Sequence, residues 1–66
     1  MMMQVRFLAE GDEFHWANSG YIYRCEGSVK VVEDLAIVPF SYTEDGERYY
    51  PRNPFKSLAT NRVEVL

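Results

Sequence analysis

The chain has 66 residues, of which 47% are hydrophobic, and its formal net charge is -3. This length allows one domain over residues 1–66 and a core with little margin, so we expect self-association into a homo-oligomer. The mildly acidic composition argues against a partner made of duplex nucleic acid, which requires a basic face, and the single cysteine excludes an internal disulfide.

Hydropathy along the chain argues against a membrane protein. No apolar run reaches the roughly 18 residues that a membrane-spanning helix needs. Residues 1–6 lack a charged leader followed by a long apolar segment, and a lone free cysteine agrees with a reducing compartment. We therefore expect a cytoplasmic protein.

Short apolar alternations, separated by glycine, asparagine and proline, predict antiparallel strands along most of the chain. The predicted strand segments are residues 4–7, 13–16, 21–26, 29–32, 35–38, 40–43, 48–50 and 62–65. In the segment 21–26, Tyr21, Tyr23 and Cys25 share one face. The sequence leaves open whether that face or the opposite one is buried.

Turn residues divide these segments. Asn18-Ser19-Gly20 and Asp45-Gly46 predict tight hairpin turns, because asparagine, aspartate and glycine tolerate positive φ. Pro39 ends the strand before it or confines its continuation to a sheet edge. Pro54 favours a short helical turn over residues 55–58. A helical turn around residues 33–37 is the alternative to a strand there, but β-branched residues favour the strand.

These patterns predict an all-β fold, a small five- to six-stranded antiparallel SH3-like barrel with at most one short helical turn. Four segments also resemble a family. Gly11-Asp12-Glu13-Phe14, Gly20-Tyr21-Ile22-Tyr23, Leu35-Ala36-Ile37-Val38 and Arg62-Val63-Glu64-Val65 follow the order of features in small SH3-like β-barrel proteins encoded by bacteriophages. The segment 42–55 departs from that pattern, since it is longer and more aromatic than a plain hairpin. The resemblance implies no settled activity, although some phage proteins of this size block host defence or sequester a nucleotide signal.

The segment 48–56 concentrates cations and aromatics in an acidic protein. Such a mixture suits a protein-binding hot spot, or a nucleotide whose phosphates pair with arginine and whose base stacks on an aromatic ring. The structural alternative places a tyrosine in the core and leaves the cations solvated. The candidate binding residues are Arg48, Tyr49, Tyr50, Arg52, Asn53, Phe55 and Lys56, with Trp16 as a further anchor.

Nothing in the sequence rises to a catalytic or metal signature. His15 and Glu13 lie on one strand face, a weak pattern for a general base, and Cys25 is expected to be a buried, inert thiol. We predict no catalytic residue, no metal and no cofactor.

The function expected from the sequence is a non-enzymatic interaction module, a phage-type accessory protein that binds and occludes a host protein. The alternative is an oligomeric nucleotide-binding protein that sequesters an anti-viral signal.

Overall fold

The computed structural model describes residues 1–16 and 18–66, and β-strands dominate its regular structure. Nine strands and one 3₁₀ turn occur in this part of the chain. The strands are β1 (Met2–Gln4), β2 (Glu13–His15), β3 (Ile22–Cys25), β4 (Lys30–Val32), β5 (Leu35–Val38), β6 (Phe40–Glu44), β7 (Glu47–Tyr49), β8 (Phe55–Leu58) and β9 (Arg62–Val65), and the 3₁₀ turn is Val5–Phe7.

The strands pair into two antiparallel sheets. The larger sheet has the order β1-β9-β2-β3-β6-β7, and the smaller has the order β4-β5-β8. The predicted all-β antiparallel class is therefore confirmed. The prediction of five or six strands in a closed barrel is wrong, because the described residues form nine strands whose ladders remain two separate sheets.

Pro39 explains part of this difference, because the chain passes from the smaller sheet to the larger one there. Proline has no N–H to donate to a ladder, so β5 ends before it and β6 begins after it, as predicted. Its carbonyl accepts a hydrogen bond from the Glu26 N–H at 2.9 Å. The chain also passes from one sheet to the other between β3 and β4, between β7 and β8, and between β8 and β9. The alternating sequence is thus divided into more and shorter strands than a single barrel would need.

Buried side chains from both sheets form the core. In β5, Ala36 and Val38 are fully buried while Leu35 is exposed, which follows from the alternation of side chains along a strand. Phe14 is the largest fully buried side chain, and burial of a side chain of this size contributes about 1.5–3 kcal/mol. The other core members are Val5, Leu8, Cys25, Ala59 and Val63.

The strand β3 resolves which of its faces is buried. Cys25 is fully buried and Tyr23 packs against the core, whereas Ile22 is 36% exposed. The face shared by the tyrosines and the cysteine is therefore the inward one, and the expected buried thiol is confirmed.

The turn residues behave largely as predicted. Asp45 and Gly46 join β6 to β7 with φ of 51° and 81°, the pair of positive values that a type I′ hairpin turn requires. Gly20, between β2 and β3, has a φ of 79°. Glu33 and Asp34 join the hairpin of β4 and β5, so the alternative helical turn around residues 33–37 is wrong.

The strand predicted for residues 4–7 is wrong beyond its first residue. Val5–Phe7 is instead a 3₁₀ turn, in which the Leu8 N–H bonds to the Val5 carbonyl and the Val5 N–H bonds to the Asn61 carbonyl. Val5 is buried, but Phe7 is 60% exposed under the guanidinium of Arg6. Among the described residues, no helix has the length and apolar character needed to cross a membrane.

The helical turn predicted for residues 55–58 is also wrong. Phe55–Leu58 is strand β8, which pairs along its length with β5. Pro54 permits a helix start, but the free edge of β5 offers four paired residues and places Ser57 in a buried position. Tertiary pairing therefore overrides the local preference.

Candidate binding groove

The connection between β7 and β8 is an exposed loop bounded by two prolines. Pro51 and Pro54 have no N–H and a fixed φ, so this segment neither extends β7 nor starts β8. Between them, Arg52 and Asn53 are exposed, and Tyr50 just before them is 65% exposed. The loop thus presents an aromatic ring, a cation and an amide on a backbone of restricted freedom.

A groove of about 420 Å³ runs between this loop and the junction of the two sheets. One wall is the loop itself. The opposite wall comes from two connections, Glu26 after β3 and Pro39 with Phe40 at the junction of the two sheets. The lining residues are Glu26, Pro39, Phe40, Tyr50, Pro51, Arg52, Asn53 and Pro54.

Aromatic rings in edge-to-face contact connect the groove to the core. Phe40 contacts Phe55 edge to face, with 6.0 Å between the ring centroids. Phe55 in turn contacts Trp16 edge to face at 4.5 Å. Phe55 and Trp16 both pack against the core and are only partly exposed. Of the two predicted anchors, Phe55 contacts a groove residue directly and Trp16 does so through Phe55, while neither lines the groove itself.

Glu26 is the anionic group of the groove. Its carboxylate accepts hydrogen bonds from the Ser41 hydroxyl and from Arg24 Nε, the latter at 2.7 Å. The bond from Ser41 and then that from Arg24 favour the charged form, so they lower the pKa of Glu26. This carboxylate remains ionised at neutral pH and places a fixed negative charge on the groove wall.

The same polar network connects the sheet to the loop. Arg24 Nη2 donates to the hydroxyl of Tyr50 at 3.4 Å. On the other side, Arg48 Nη1 donates to Ser41 Oγ at 2.8 Å, and Arg48 Nη2 lies 3.6 Å from Glu13 Oε2. A continuous chain of polar contacts therefore runs from β2 and β7 through buried Ser41 to the loop.

The structure brings together only some of the predicted binding residues. Tyr50, Arg52 and Asn53 line the groove. Arg48 belongs to the network beneath it and has its guanidinium engaged there. Lys56 is exposed in β8, where it pairs with Ile37 in the smaller sheet. The three cations of the segment 48–56 thus lie in three different places.

Tyr49 lies on the face of β7 opposite to that of Arg48. Its ring stacks on Tyr42 with 5.3 Å between centroids, and its hydroxyl donates to Glu47 Oε2 at 3.0 Å. This hydrogen bond, together with burial and the charge of Glu44, raises the pKa of Tyr49. Tyr21 also stacks on Tyr42, at 5.2 Å. Tyr49 therefore ends a row of tyrosines and takes no part in the groove.

Sequence reasoning missed the residues that form the far wall of the groove. Glu26, Pro39 and Phe40 lie 10 or more positions before Tyr50 and reach it only through the pairing of β3 with β6. A partial signal was present, because Pro39 ends a strand at a point where a new aromatic strand begins. The aromatic residues at alternate positions, Phe40 and Tyr42, also indicated a sheet face that carries aromatic rings.

The imidazole of His15 and the thiol of Cys25 lie outside the groove, and each contacts a backbone carbonyl. His15 Nδ1 lies 3.2 Å from the Tyr21 carbonyl, beside a second groove of about 400 Å³ that Arg62 and Glu64 help to line. The Cys25 thiol donates to the Gly27 carbonyl at 3.0 Å, and burial raises its pKa. In residues 1–16 and 18–66, no three acidic, histidine or cysteine side chains converge as metal ligands.

These features define an all-β domain with a rigid groove between a proline-bounded loop and the junction of its two sheets. No family model, no curated protein and no solved structure matches the chain.

Proposed function

We propose that the protein is a non-enzymatic interaction module that binds another protein in the groove beside the loop of Tyr50, Arg52 and Asn53. The groove itself carries this proposal. It joins exposed tyrosine and arginine, which are enriched in binding hot spots, to a wall of prolines and Phe40. A partner side chain inserted there would displace water from apolar surface and contact charged groups at the rim.

Rigidity supports this proposal. Pro51 and Pro54 restrict the loop, and the bond from Arg24 holds Tyr50. A surface that is ordered before binding loses less conformational entropy when its partner arrives. The groove therefore has the preorganisation that a small protein needs in order to bind through few residues.

The distribution of charge favours a protein over a phosphorylated ligand. Glu26 lines the groove as a carboxylate with a lowered pKa, and it already engages the guanidinium of Arg24 at 2.7 Å, which a phosphate would otherwise bind. Arg52 is the cation that lines the groove, whereas Arg48 and Lys56 lie elsewhere. The nucleotide-sequestering alternative keeps Tyr50 as a stacking surface and Arg52 as a phosphate-binding cation beside it.

The resemblance to phage-encoded proteins extends the proposal to a biological setting. The bound partner would be a host protein in the cytoplasm, and the module would act by covering a surface that the host protein needs. This mechanism requires no chemical step, so the groove has only to bind. The finer resemblance to SH3-like barrels rests on the order of sequence features alone.

Capture experiments with matched variants test the proposal. The double variant Tyr50→Ala/Arg52→Ala removes two exposed side chains from the groove. The control Phe7→Ala/Arg62→Ala likewise removes one exposed aromatic side chain and one exposed arginine, near β1 and β9 at the opposite side of the larger sheet. We expect a host protein to be retained by the wild type and the control and lost from the groove variant. If every captured protein binds all three forms equally, the groove is not the binding site.

Thermal unfolding with linear and cyclic nucleotides tests the alternative. A ligand at about 100 times its dissociation constant adds roughly 2.7 kcal/mol and raises the melting temperature by several degrees. We expect no shift. A shift in melting temperature that Arg52→Ala abolishes would favour nucleotide binding over binding of a protein partner.

A further inference from the structure

The smaller sheet carries an aliphatic row on the face that points away from the core. Val32 pairs with Leu35, and Leu35 pairs with Leu58. Directly paired residues share a sheet face. Their exposed fractions are 57%, 43% and 48%, respectively. Three adjacent large aliphatic side chains are therefore presented to solvent.

The neighbouring rows show which face this is. Ala36 and Ser57, one step along their strands from the aliphatic row, are 0% and 7% exposed and face the core. Because side chains alternate, the row beyond Ala36 and Ser57 faces solvent again. It contains Lys30, Ile37 and Lys56. We call the two outward rows together the outer face: Val32, Leu35, Leu58, Lys30, Ile37 and Lys56.

Opposite charges mark the two ends of the outer face. Glu33 and Asp34 form the turn beside the aliphatic row, and both are exposed. Lys30 and Lys56 flank Ile37 at the other end, and both are exposed. None of these four groups belongs to an ion pair within the described residues. The face thus runs from acidic through aliphatic to basic along the strand direction.

We propose that the outer face binds the outer face of a second copy of this chain, forming a two-fold symmetric dimer. The two-fold axis lies between the sheets and perpendicular to their strands, so that the strands of the two copies run in opposite directions. The aliphatic rows then meet near the centre, and the acidic turn of each copy lies over the lysines of the other. Such an interface is isologous, and sheets that pack face to face lie about 10 Å apart.

The charge polarity of the face selects a second copy over an unrelated partner. A purely aliphatic row would accept any apolar surface. This face instead carries an acidic turn at one end and two lysines at the other, so turning it over onto itself brings opposite charges together. The small size of the domain adds a reason, because a 66-residue chain buries a limited core and gains stability by association.

Sedimentation equilibrium of the full chain, together with two matched variants, tests the dimer. We expect a particle of twice the 7.7 kDa chain mass for the wild type. Leu58→Glu should raise the dissociation constant by about tenfold or more, since it places an uncompensated charge in the interface. Leu66→Glu is the control, because Leu66 is a 60% exposed leucine outside the face. A monomeric wild type, or an equal effect of both substitutions, would overturn the proposal.

A charge-exchange experiment tests the geometry. Lys30→Glu/Lys56→Glu makes both ends of the face acidic, and Glu33→Lys/Asp34→Lys makes both ends basic. Each variant should dimerise less than the wild type, and an equimolar mixture should recover a mixed dimer. Dimerisation of either variant as strong as that of the wild type would show that the acidic turn of one copy does not lie over the lysines of the other, and no recovery in the mixture would show that these charges do not meet across the interface. Neither experiment depends on the groove, so its outcome is separate from that of the proposed function.

Discussion

The hydroxyl of Ser41 in β6 donates a hydrogen bond to the carboxylate of Glu26, which follows the neighbouring strand β3. Ser41 is fully buried and also accepts a bond from Arg48. One small side chain therefore joins an anion of the groove wall to a cation on β7.

Removing this hydroxyl should destabilise the protein. Ser41→Ala removes one partner from Arg48 and one from Glu26, which keep Glu13 and Arg24 as partners, and each hydrogen bond of the buried hydroxyl contributes about 0.5–1.5 kcal/mol. Thr43→Ala, on the same strand and the same face, is the control. Urea unfolding should show the larger loss of free energy for Ser41→Ala, and equal losses would mean that the network contributes nothing to stability.

Stability should fall in acid because of Glu26. Its pKa in the folded state lies below the ordinary value of 4.5, so its contribution is complete above that value. The contribution disappears as the pH falls through the lowered folded pKa. Glu26→Gln should therefore be less stable than the wild type at neutral pH, and the difference should shrink as the solution is acidified below pH 4.5. A difference independent of pH would contradict the assigned ionisation.

Tyr49 should ionise at a higher pH than an ordinary tyrosine, because its pKa is raised. The bond to Glu47 favours the neutral phenol, so the folded pKa lies above 10.0, and the associated stability is lost as the pH rises through it. Glu47→Gln should lower the ionisation midpoint of this tyrosine, measured by the ultraviolet absorbance of tyrosinate. Tyr49→Phe, compared in the same titration, identifies which part of the signal belongs to Tyr49. An unchanged midpoint in Glu47→Gln would remove the bond as the cause.

The turn between β6 and β7 should depend on its glycine. Gly46 has a φ of 81° with open space around it, so an added Cβ meets no neighbour but strains the backbone. Gly46→Ala should cost about 1–2 kcal/mol in the free energy of unfolding. Asp45→Asn, whose side chain tolerates the φ of 51° there, should change stability little. Similar values for both variants in urea unfolding would count against the type I′ turn.

Local patterns predicted the elements whose structure depends mainly on their own residues. The strands Leu35–Val38 and Arg62–Val65 and the turn at Asp45-Gly46 appear as alternation and turn chemistry indicated. The errors at residues 4–7 and 55–58 have a different origin. Each segment takes its conformation from a distant partner, Asn61 for the first and β5 for the second. Neither partner is visible in a local window of sequence.

Local sequence likewise predicted only some of the residues that line the groove. Tyr50, Arg52 and Asn53 were predictable, because prolines on both sides keep their segment out of the sheets. Glu26 and Phe40 were not, since their place in the groove follows from the register of β3 with β6. Arg48 lies outside the groove for a related reason. Alternation along β7 directs its side chain toward Ser41 and not toward the loop.

The pairing of the first strand with the last sets an order for folding. Met3 in β1 pairs with Val63, and Phe14 in β2 pairs with Val65, so β9 lies between two strands from the start of the chain. During synthesis, β2 can pair with β3 early, whereas β1 has no neighbour to bond until β9 has left the ribosome. The larger sheet therefore gains β1 and β9 last, and the need to close so long a loop slows this step.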